Sequence, residues 1–260
     1  MIKAIFFDID GTLVSFDTHI VPPSAVDAIA AVKQQGIKVF IATGRSLKQI
    51  DNLHDLTFDG YITMNGAYCV NDRQEIIHKC VIPQVDIESL IRYQEEREQF
   101  PVEIMTAEEQ LVNYIDDQVK ALIELVHLPM PRVESLREAS RNEILQMGIF
   151  VDKKKERDIM RKALVHCQAT RWYPLFADIN LRGCSKQSGI DHLLNYHNIR
   201  LDETISFGDG GNDIPMLRHT AIGVAMGDAS DEVKRTANYV TDTVDNDGIW
   251  KALRYFKIIE

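Results

Sequence analysis

Apolar runs and amphipathic segments alternate along the first part of the chain. Residues Lys3 to Ile9 form a nearly continuous apolar run, which is typical of a strand in a parallel sheet that is covered on both faces. The segment from Pro22 to Gln35 places its apolar residues along one side, as an amphipathic helix does. Further apolar runs follow at Ile37 to Ala42 and at Gly60 to Met64. Strands that alternate with helices in this way predict βαβ units and a parallel sheet.

From about Pro83 the pattern changes. Between residues 83 and 182 the periodicities predict the element order αββαβαββ, which indicates one open sheet with helices on a single face. The first pattern returns after Lys186, with apolar strands at Thr204 to Phe207 and Ala221 to Ala225. We therefore predict an α/β fold. Its doubly wound, Rossmann-like parallel-sheet core is formed by residues 1–82 and 183–260, and an α+β cap domain is inserted at 83–182.

Composition narrows the range of partners. The 260 residues carry a formal net charge of -10, and they show no basic stripe of the kind that nucleic-acid-binding proteins use. No apolar run approaches the roughly 20 residues needed to cross a bilayer, and acidic residues interrupt the only N-terminal apolar segment, so no signal peptide is expected. We expect a cytoplasmic protein whose cysteines are reduced, because they lack CxxC spacing. These cysteines are Cys69, Cys80, Cys167 and Cys184.

The first apolar run ends in two carboxylates, Asp8 and Asp10, and Gly11-Thr12 follows at once. Residues i and i+2 of a strand point to the same side, so these two side chains converge where a buried strand meets solvent. Two carboxylates so close repel each other, which indicates a cation between them or a proton on one of them. The pair is therefore the first candidate for a catalytic site.

Polar residues end the other predicted core strands as well. The carboxyl ends of the strands in an open parallel sheet meet at the edge where ligands bind, so a hydroxyl, an amide, a lysine and further carboxylates are expected beside the two aspartates. Hard oxygen ligands of this kind suit Mg²⁺, which usually keeps waters and contacts substrate phosphate. These residues are Thr43, Asn65, Lys186, Asp209, Asn212 and Asp213.

Four of these segments resemble the motifs of the haloacid dehalogenase superfamily of phosphotransferases. The segment from Asp8 to Thr12 is similar to its first motif, Thr43 to its second, Lys186 to its third, and the segment from Gly208 to Asp213 to its fourth. The insert's position and element order resemble the Cof-type phosphatases with a type IIB cap, as does Asn65-Gly66-Ala67 after the third strand. One departure is that no glycine stands beside the lysine, where many relatives have one.

The resemblance implies a Mg²⁺-dependent phosphatase of small phosphorylated metabolites, with sugar phosphates, hexose phosphates first among them, as substrates. It implies that Asp8 is the nucleophile, which forms an aspartyl-phosphate, and that Asp10 is the general acid and then the base. The implied metal ligands are Asp8, the carbonyl of Asp10, and Asp209, with Asn212 and Asp213 supporting the hydrated ion and the lysine. The implied phosphate-binding residues are Thr43, Gly44, Lys186 and Asn212, and the implied substrate-binding residues are Arg45 and Asn65.

Three other functions stay open. A phosphosugar mutase has a similar core and cap, but it would return the phosphoryl group to another sugar hydroxyl. A phospho-accepting signalling module also uses strand-end aspartates, a threonine and a lysine, but it needs neither a general acid at Asp10 nor an insert of about 100 residues. A non-catalytic metal-binding protein is the most distant alternative. The expected partner is a small phosphate ester, with no nucleic acid and no membrane, and the expected state is a monomer or weak homodimer.

Overall fold

The computed structural model of the chain describes residues 1–53, 55–126 and 129–260. The chain divides into two compact units. The first unit comprises Met1–Gly44, Ile50–His78 and Ser185–Glu260, and the second comprises Arg45–Gln49 and Lys79–Cys184. The short segment Arg45–Gln49 thus belongs to the second unit although the chain on both sides of it belongs to the first.

The described residues contain the following regular elements. The strands are β1 (Ala4–Phe7), β2 (Lys38–Ala42), β3 (Gly60–Thr63), β4 (Tyr68–Asn71), β5 (Ile76–Lys79), β6 (Val102–Met105), β7 (Gln110–Val112), β8 (Arg132–Val133), β9 (Gln146–Ile149), β10 (Cys167–Tyr173), β11 (Phe176–Leu181), β12 (Thr204–Gly208), β13 (Ile222–Ala225) and β14 (Tyr239–Val240). The helices are α1 (Pro23–Gln34), α2 (Gln84–Glu96), α3 (Asp117–Val126), α4 (Leu136–Ala139), α5 (Lys153–Lys162), α6 (Lys186–His197), α7 (Ile214–His219), α8 (Asp231–Thr236) and α9 (Gly248–Tyr255). In the described part of the chain, none of these helices combines the length and apolarity that crossing a membrane requires.

The sheet of the first unit has the spatial order β14-β13-β12-β1-β2-β3-β4-β5. Strand β1 lies in its interior and pairs in parallel with β12 on one side and with β2 on the other. Strands β3, β13 and β14 continue the parallel pairing outward, and β4 pairs with β3 in the antiparallel direction. The carboxyl ends of β1, β2, β3 and β12 therefore lie at one edge of the sheet, as the sequence predicts.

Both faces of this sheet are covered. Ile5 and Phe7 of β1 pack in a cluster with apolar residues of α1 and α9, whereas Phe6 packs in a second cluster with residues of α6, α7 and α8. All four β1 residues are inaccessible to solvent, and complete burial of a phenylalanine stabilises a fold by about 1.5–3 kcal/mol. The doubly wound α/β core is confirmed.

The second unit contains a six-stranded sheet in the order β10-β11-β9-β6-β7-β8. Its element order is αββαβαβαββ, so the predicted order lacks β8 and α4. Both are short: β8 is a two-residue exposed strand, and α4 is a single turn capped by Ser135. Elements of this length leave no hydrophobic periodicity for sequence analysis to detect.

The two faces of the second sheet differ in character. One face packs against α2 and α5 with apolar side chains such as Ile104 and Ile149. At one end of the opposite face, Val112 and Phe176 pack against α3, so the prediction of helices on a single face is wrong for α3. The rest of that opposite face is polar and mostly buried. We call it the polar face, and it consists of Glu103, Gln110, Gln146, Asp178 and Asn180.

The cysteines differ from the prediction. Cys80 and Cys184 form a disulfide with their Cα atoms 6.9 Å apart, so the prediction of four reduced thiols is wrong for this pair. Cys69 and Cys167 are free and buried. The two bridged residues lie 104 positions apart, at the start and at the end of the long segment of the second unit. Because the two ends of an inserted unit lie close together, cysteines far apart in the sequence can pair there. The local spacing of the cysteines does not show this.

Candidate active site

Asp8 follows the buried strand β1 directly. Its backbone N–H donates to the Phe207 carbonyl of β12 at 3.1 Å, which fixes the carboxylate at the end of the sheet, where it is 6% exposed. The chain then turns through Gly11 in the left-handed region, at φ 79°. A Cβ atom there would lie 2.4 Å from Oδ2 of Asp209, so both the conformation and the close approach require glycine.

Lys186 places its ammonium group against two carboxylates. It is the first residue of α6, immediately after Ser185, which caps that helix by accepting a hydrogen bond from Ser188 N–H. Its Nζ donates to Oδ1 of Asp8 at 2.5 Å and to Oδ1 of Asp213 at 2.6 Å. The lysine is completely buried, so these ion pairs lie in a region that screens charge weakly. The lysine therefore links the carboxyl end of β1 to the loop after β12.

That loop holds its own aspartates through short hydrogen bonds. Oδ2 of Asp213 accepts the backbone N–H groups of Asp209 at 3.0 Å and of Gly210 at 2.8 Å. The hydroxyl of Thr12 donates to Oδ1 of Asp209 at 3.0 Å. No role is predicted for Thr12 from the sequence, although it directly follows the segment Asp8-x-Asp10-Gly11. Together these bonds orient the carboxylate of Asp209 toward β1.

Three carboxylates form a cluster that fits a cation. One oxygen from each of Asp8, Asp209 and Asp213 lies within 4.8 Å of the other two. Hard carboxylate donors of this kind are the ligands that Mg²⁺ prefers. Two of the three, Asp8 and Asp209, belong to the ligand set that the sequence predicts. Asp213, which is predicted to support the hydrated ion and Lys186, contributes an oxygen to the same cluster.

The pKa values follow from this crowding. Burial, together with the charge of Asp213, raises the pKa of Asp8 to about 7, although Lys186 acts in the opposite direction. Burial and the neighbouring carboxylates also raise the pKa of Asp209 well above its usual range. Burial alone would lower the pKa of Lys186, but the two carboxylates outweigh it and raise this pKa, so the lysine stays charged. The cluster holds more negative charge than one lysine balances, which favours a further cation.

The ends of β2 and β3 lie beside each other. The Thr43 N–H donates to the Ile62 carbonyl at 2.8 Å, and the Asn65 N–H donates to the Thr43 carbonyl at 3.0 Å. Asn65 adopts a left-handed conformation, at φ 53°, and its Oδ1 accepts a hydrogen bond from Nδ2 of Asn212 at 3.1 Å. A Cβ atom at Gly44 would lie 3.3 Å from the Asn65 amide. The strand-end residues on this side of β1 are therefore connected to the loop after β12.

Two predicted site residues, Asp10 and Arg45, are not members of the carboxylate cluster, although the charge of Asp10 contributes to the raised pKa of Asp8. Asp10 is partly exposed and forms a backbone bridge with Val14. Arg45 belongs to the second unit, where its Nη1 donates to the Gln49 carbonyl at 3.0 Å. The individual roles assigned to the site residues stay predictions.

Comparisons with known proteins agree on one family. A family model described as haloacid dehalogenase-like hydrolase matches residues 5–253. The chain is 45% identical to the solved structure of the subclass IIB sugar phosphatase BT4131, with a TM-score of 0.92 and coverage of 99% of this chain and 100% of that one. It is 41% identical to BT1666, a phosphatase from Bacteroides thetaiotaomicron, with a TM-score of 0.93 and coverage of 100% and 96%.

A more distant relative acts on another kind of ester. The chain is 26% identical over 260 residues to the 5-amino-6-(5-phospho-D-ribitylamino)uracil phosphatase YcsE of Bacillus subtilis, with 98% of this chain and 96% of that protein covered. The names of these similar proteins thus agree on phosphate-ester hydrolysis and differ in the substrates that they state.

Proposed function

The chain belongs to the haloacid dehalogenase-like hydrolases and is a phosphatase, and we propose that it is Mg²⁺-dependent and hydrolyses sugar phosphates, hexose phosphates first among them. The family membership confirms the resemblance read from the four motifs. The observation that carries the proposal is the position of Asp8, a buried carboxylate at the end of the interior strand β1, which Lys186 contacts at 2.5 Å. Residues 83–182 are proposed as the cap.

Asp8 acts as the nucleophile. Lys186 holds its Oδ1, and the other carboxylate oxygen attacks phosphorus, so that a bond from Asp8 to phosphorus forms while the bond from phosphorus to the sugar oxygen breaks. Asp10 gives its proton to the departing sugar oxygen. In the second step Asp10 takes a proton from water, whose oxygen attacks phosphorus, and the bond to Asp8 breaks. Free phosphate leaves, and both aspartates return to their starting state.

The remaining residues position charge around the phosphoryl group. Lys186 offsets the negative charge of Asp8 and of the phosphate, a role that a compact ammonium fits well. Thr43, Gly44 and Asn212 bind phosphoryl oxygens, and Arg45 and Asn65 bind the organic part of the substrate. Asp8, the Asp10 carbonyl and Asp209 would hold Mg²⁺, supported by Asn212 and Asp213. When bound there, the ion would neutralise phosphoryl charge and keep Asp8 ionised.

A phosphate-release screen tests the proposal. The purified protein is incubated with hexose phosphates, nucleotides and ribitylaminouracil phosphate, with and without a chelator and added Mg²⁺. We expect release from hexose phosphates that stops on chelation and returns with Mg²⁺. Undiminished phosphate release in the presence of the chelator would contradict the proposed Mg²⁺ dependence. Phosphate release from ribitylaminouracil phosphate alone would contradict the proposal that sugar phosphates are the substrates. Conversion of one sugar phosphate to another without net phosphate release would favour the mutase.

Two variants test the mechanism within the same screen. Asp8→Asn should lose turnover by at least about 10⁴-fold, since it removes the nucleophile, while the protein still folds. Asp10→Asn should lose most of its turnover with sugar phosphates and much less with nitrophenyl phosphate, whose leaving group departs without a proton. Equal losses of Asp10→Asn on both substrates would contradict the role of Asp10 as general acid.

A further inference from the structure

A chain of hydrogen bonds leads from the segment after β2 to the sheet of the second unit. The segment Arg45–Gln49 directly follows Gly44, which we proposed as a phosphate-binding residue, yet it belongs to the second unit. Gln49, its last residue, is 7% exposed. The question is what a buried glutamine does there, because a buried amide is costly unless its groups are hydrogen-bonded.

The Gln49 amide is bonded on both sides. Its Oε1 accepts the backbone N–H of Ser46 at 2.7 Å, and its Nε2 donates to Oε1 of Gln110 on β7 at 2.5 Å. Nε2 of Gln110 in turn donates to Oε1 of Glu103 on β6. The backbone of Gln49 adds a further contact, because its carbonyl accepts Nη1 of Arg45 at 3.0 Å.

Glu103, at one end of this series of hydrogen bonds, sets which amide atoms donate and which accept. Oε1 of Glu103 accepts the amide nitrogen of Gln110, and a carboxyl oxygen can accept this bond whether the group is ionised or protonated. The Gln110 oxygen then faces Gln49 and orients the Gln49 nitrogen toward itself, which leaves the Gln49 oxygen for Ser46. Linked bonds of this kind in a region of low dielectric reinforce one another. Glu103 and Gln110 thereby fix the conformation of the segment from which Arg45 projects.

We propose that Gln49 is a positioning residue that, held by Gln110 and Glu103, fixes Arg45 for binding the organic part of the phosphate ester. The inference rests on the proposed function, since it assigns Arg45 to the substrate. Its consequence is selective. Loss of these hydrogen bonds weakens the binding of a substrate that reaches Arg45. It leaves the reaction of the phosphoryl group with Asp8 intact.

Gln49→Leu and Gln110→Leu test the inference with two substrates. The first is the sugar phosphate that the wild type hydrolyses best, and the second is acetyl phosphate, whose small acetyl group offers Arg45 no hydroxyl. We expect each variant to raise KM for the sugar phosphate by about 5- to 20-fold, the effect of one or two lost hydrogen bonds. We expect kcat for that substrate and kcat/KM for acetyl phosphate to change less than about twofold. The double variant should raise KM no more than either single variant does, because both substitutions break the same series of hydrogen bonds.

Lys48→Ala is the matched control. Lys48 lies on the same segment and pairs with Glu108 at 2.7 Å, but both side chains are exposed, so its removal should leave both substrates unaffected. A wild-type KM in Gln49→Leu and Gln110→Leu would overturn the positioning role, and so would equal losses on both substrates. If Gln49→Leu fails to fold, the result for Gln110→Leu decides the test, because Gln110 is the other partner of the same hydrogen bond. Wild-type protein that releases phosphate from no sugar ester would contradict the proposed function instead.

Discussion

The carboxylate cluster of the first unit and the polar face of the second unit both bury ionisable groups, but they compensate for burial differently. In the cluster, Lys186 contacts Asp8 and Asp213 through charge-assisted bonds of 2.5 and 2.6 Å, and Asp213 also accepts two backbone N–H groups. On the polar face, Glu103 accepts from the neutral amide of Gln110 and lies near the carboxylate of Asp178.

This difference separates two tasks. The phosphoryl transfer that we propose needs an ionised Asp8, and Lys186 favours that ionised form, although burial and Asp213 outweigh the lysine and raise the pKa of Asp8 to about 7. A surface that only positions other side chains can use amides and a carboxyl group whose charge is unfavourable. Burial raises the pKa of Glu103 to about 7, although the bond from Gln110 opposes the shift. The first region therefore depends on opposite charges, whereas the second depends on the orientation of neutral amides.

The largest effect is expected where the opposite charge is removed. Lys186→Met keeps the length and apolar stem of the side chain but leaves Asp8 and Asp213 buried without their cation. Breaking a buried ion pair in this way destabilises a protein by about 3–5 kcal/mol, and phosphate release should fall by at least about 10³-fold. Urea unfolding and a phosphate-release assay measure the two losses. Lys48→Ala, at an exposed ion pair, should cost less than about 1 kcal/mol. Similar costs for the two variants would show that charge pairing does not hold the cluster.

A second effect concerns the ends of the unit that carries the polar face. The Cys80–Cys184 disulfide spans 104 positions, and a cross-link over such a length restricts the unfolded chain strongly. Cys80→Ser should lower the free energy of unfolding by about 2–4 kcal/mol, measured by thermal unfolding without reductant. Dithiothreitol should bring the wild type to the same value and leave Cys80→Ser unchanged. Equal melting of wild type and variant without reductant would contradict a stabilising role for the disulfide. Cys69→Ala, at a buried free thiol, is the control for losing a cysteine alone.

The same contrast explains what the sequence could and could not predict. The place of the core residues was predictable because parallel strands end at one edge, so Asp8, Thr43 and Asp209 follow neighbouring strand ends once β1, β2 and β12 are recognised. The sequence predicted that Asp213 supports Lys186, which it contacts at 2.6 Å, but not that its carboxylate joins Asp8 and Asp209 in one cluster, because that depends on how the loop after β12 closes. Thr12 was missed for a similar reason, since its hydroxyl meets an aspartate 197 positions away.

The polar face was not predictable from its strands. Glu103 stands between Val102 and Ile104, and such alternation is typical of a strand with one face in solvent. In the structure that face is mostly buried. Gln49, which lies 61 positions before Gln110 in the sequence, donates a hydrogen bond to it. A hydrogen-bond chain across such distances leaves no periodicity in the sequence. The elements β8 and α4 were not predicted because they are too short. The polar face was not predicted because the residues that bond to one another there are far apart in the sequence.

The smallest effect tests whether Glu103 is held neutral. Its folded-state pKa of about 7 lies above its ordinary value of 4.5, so between these values the folded protein retains a proton that the unfolded chain has lost. Glu103 should therefore lower the stability of the wild type by up to about 3 kcal/mol as pH rises from about 4.5 to 7, in addition to the fall that the raised pKa values of Asp8 and Asp209 contribute. Glu103→Gln keeps an acceptor for Gln110 and cannot ionise, so it should remove the part of this fall that Glu103 contributes and be the more stable protein at pH 8. Urea unfolding across this pH range measures both curves. Parallel curves would mean that Glu103 is ionised in the fold, and the polar face would then bury a charge as the carboxylate cluster does.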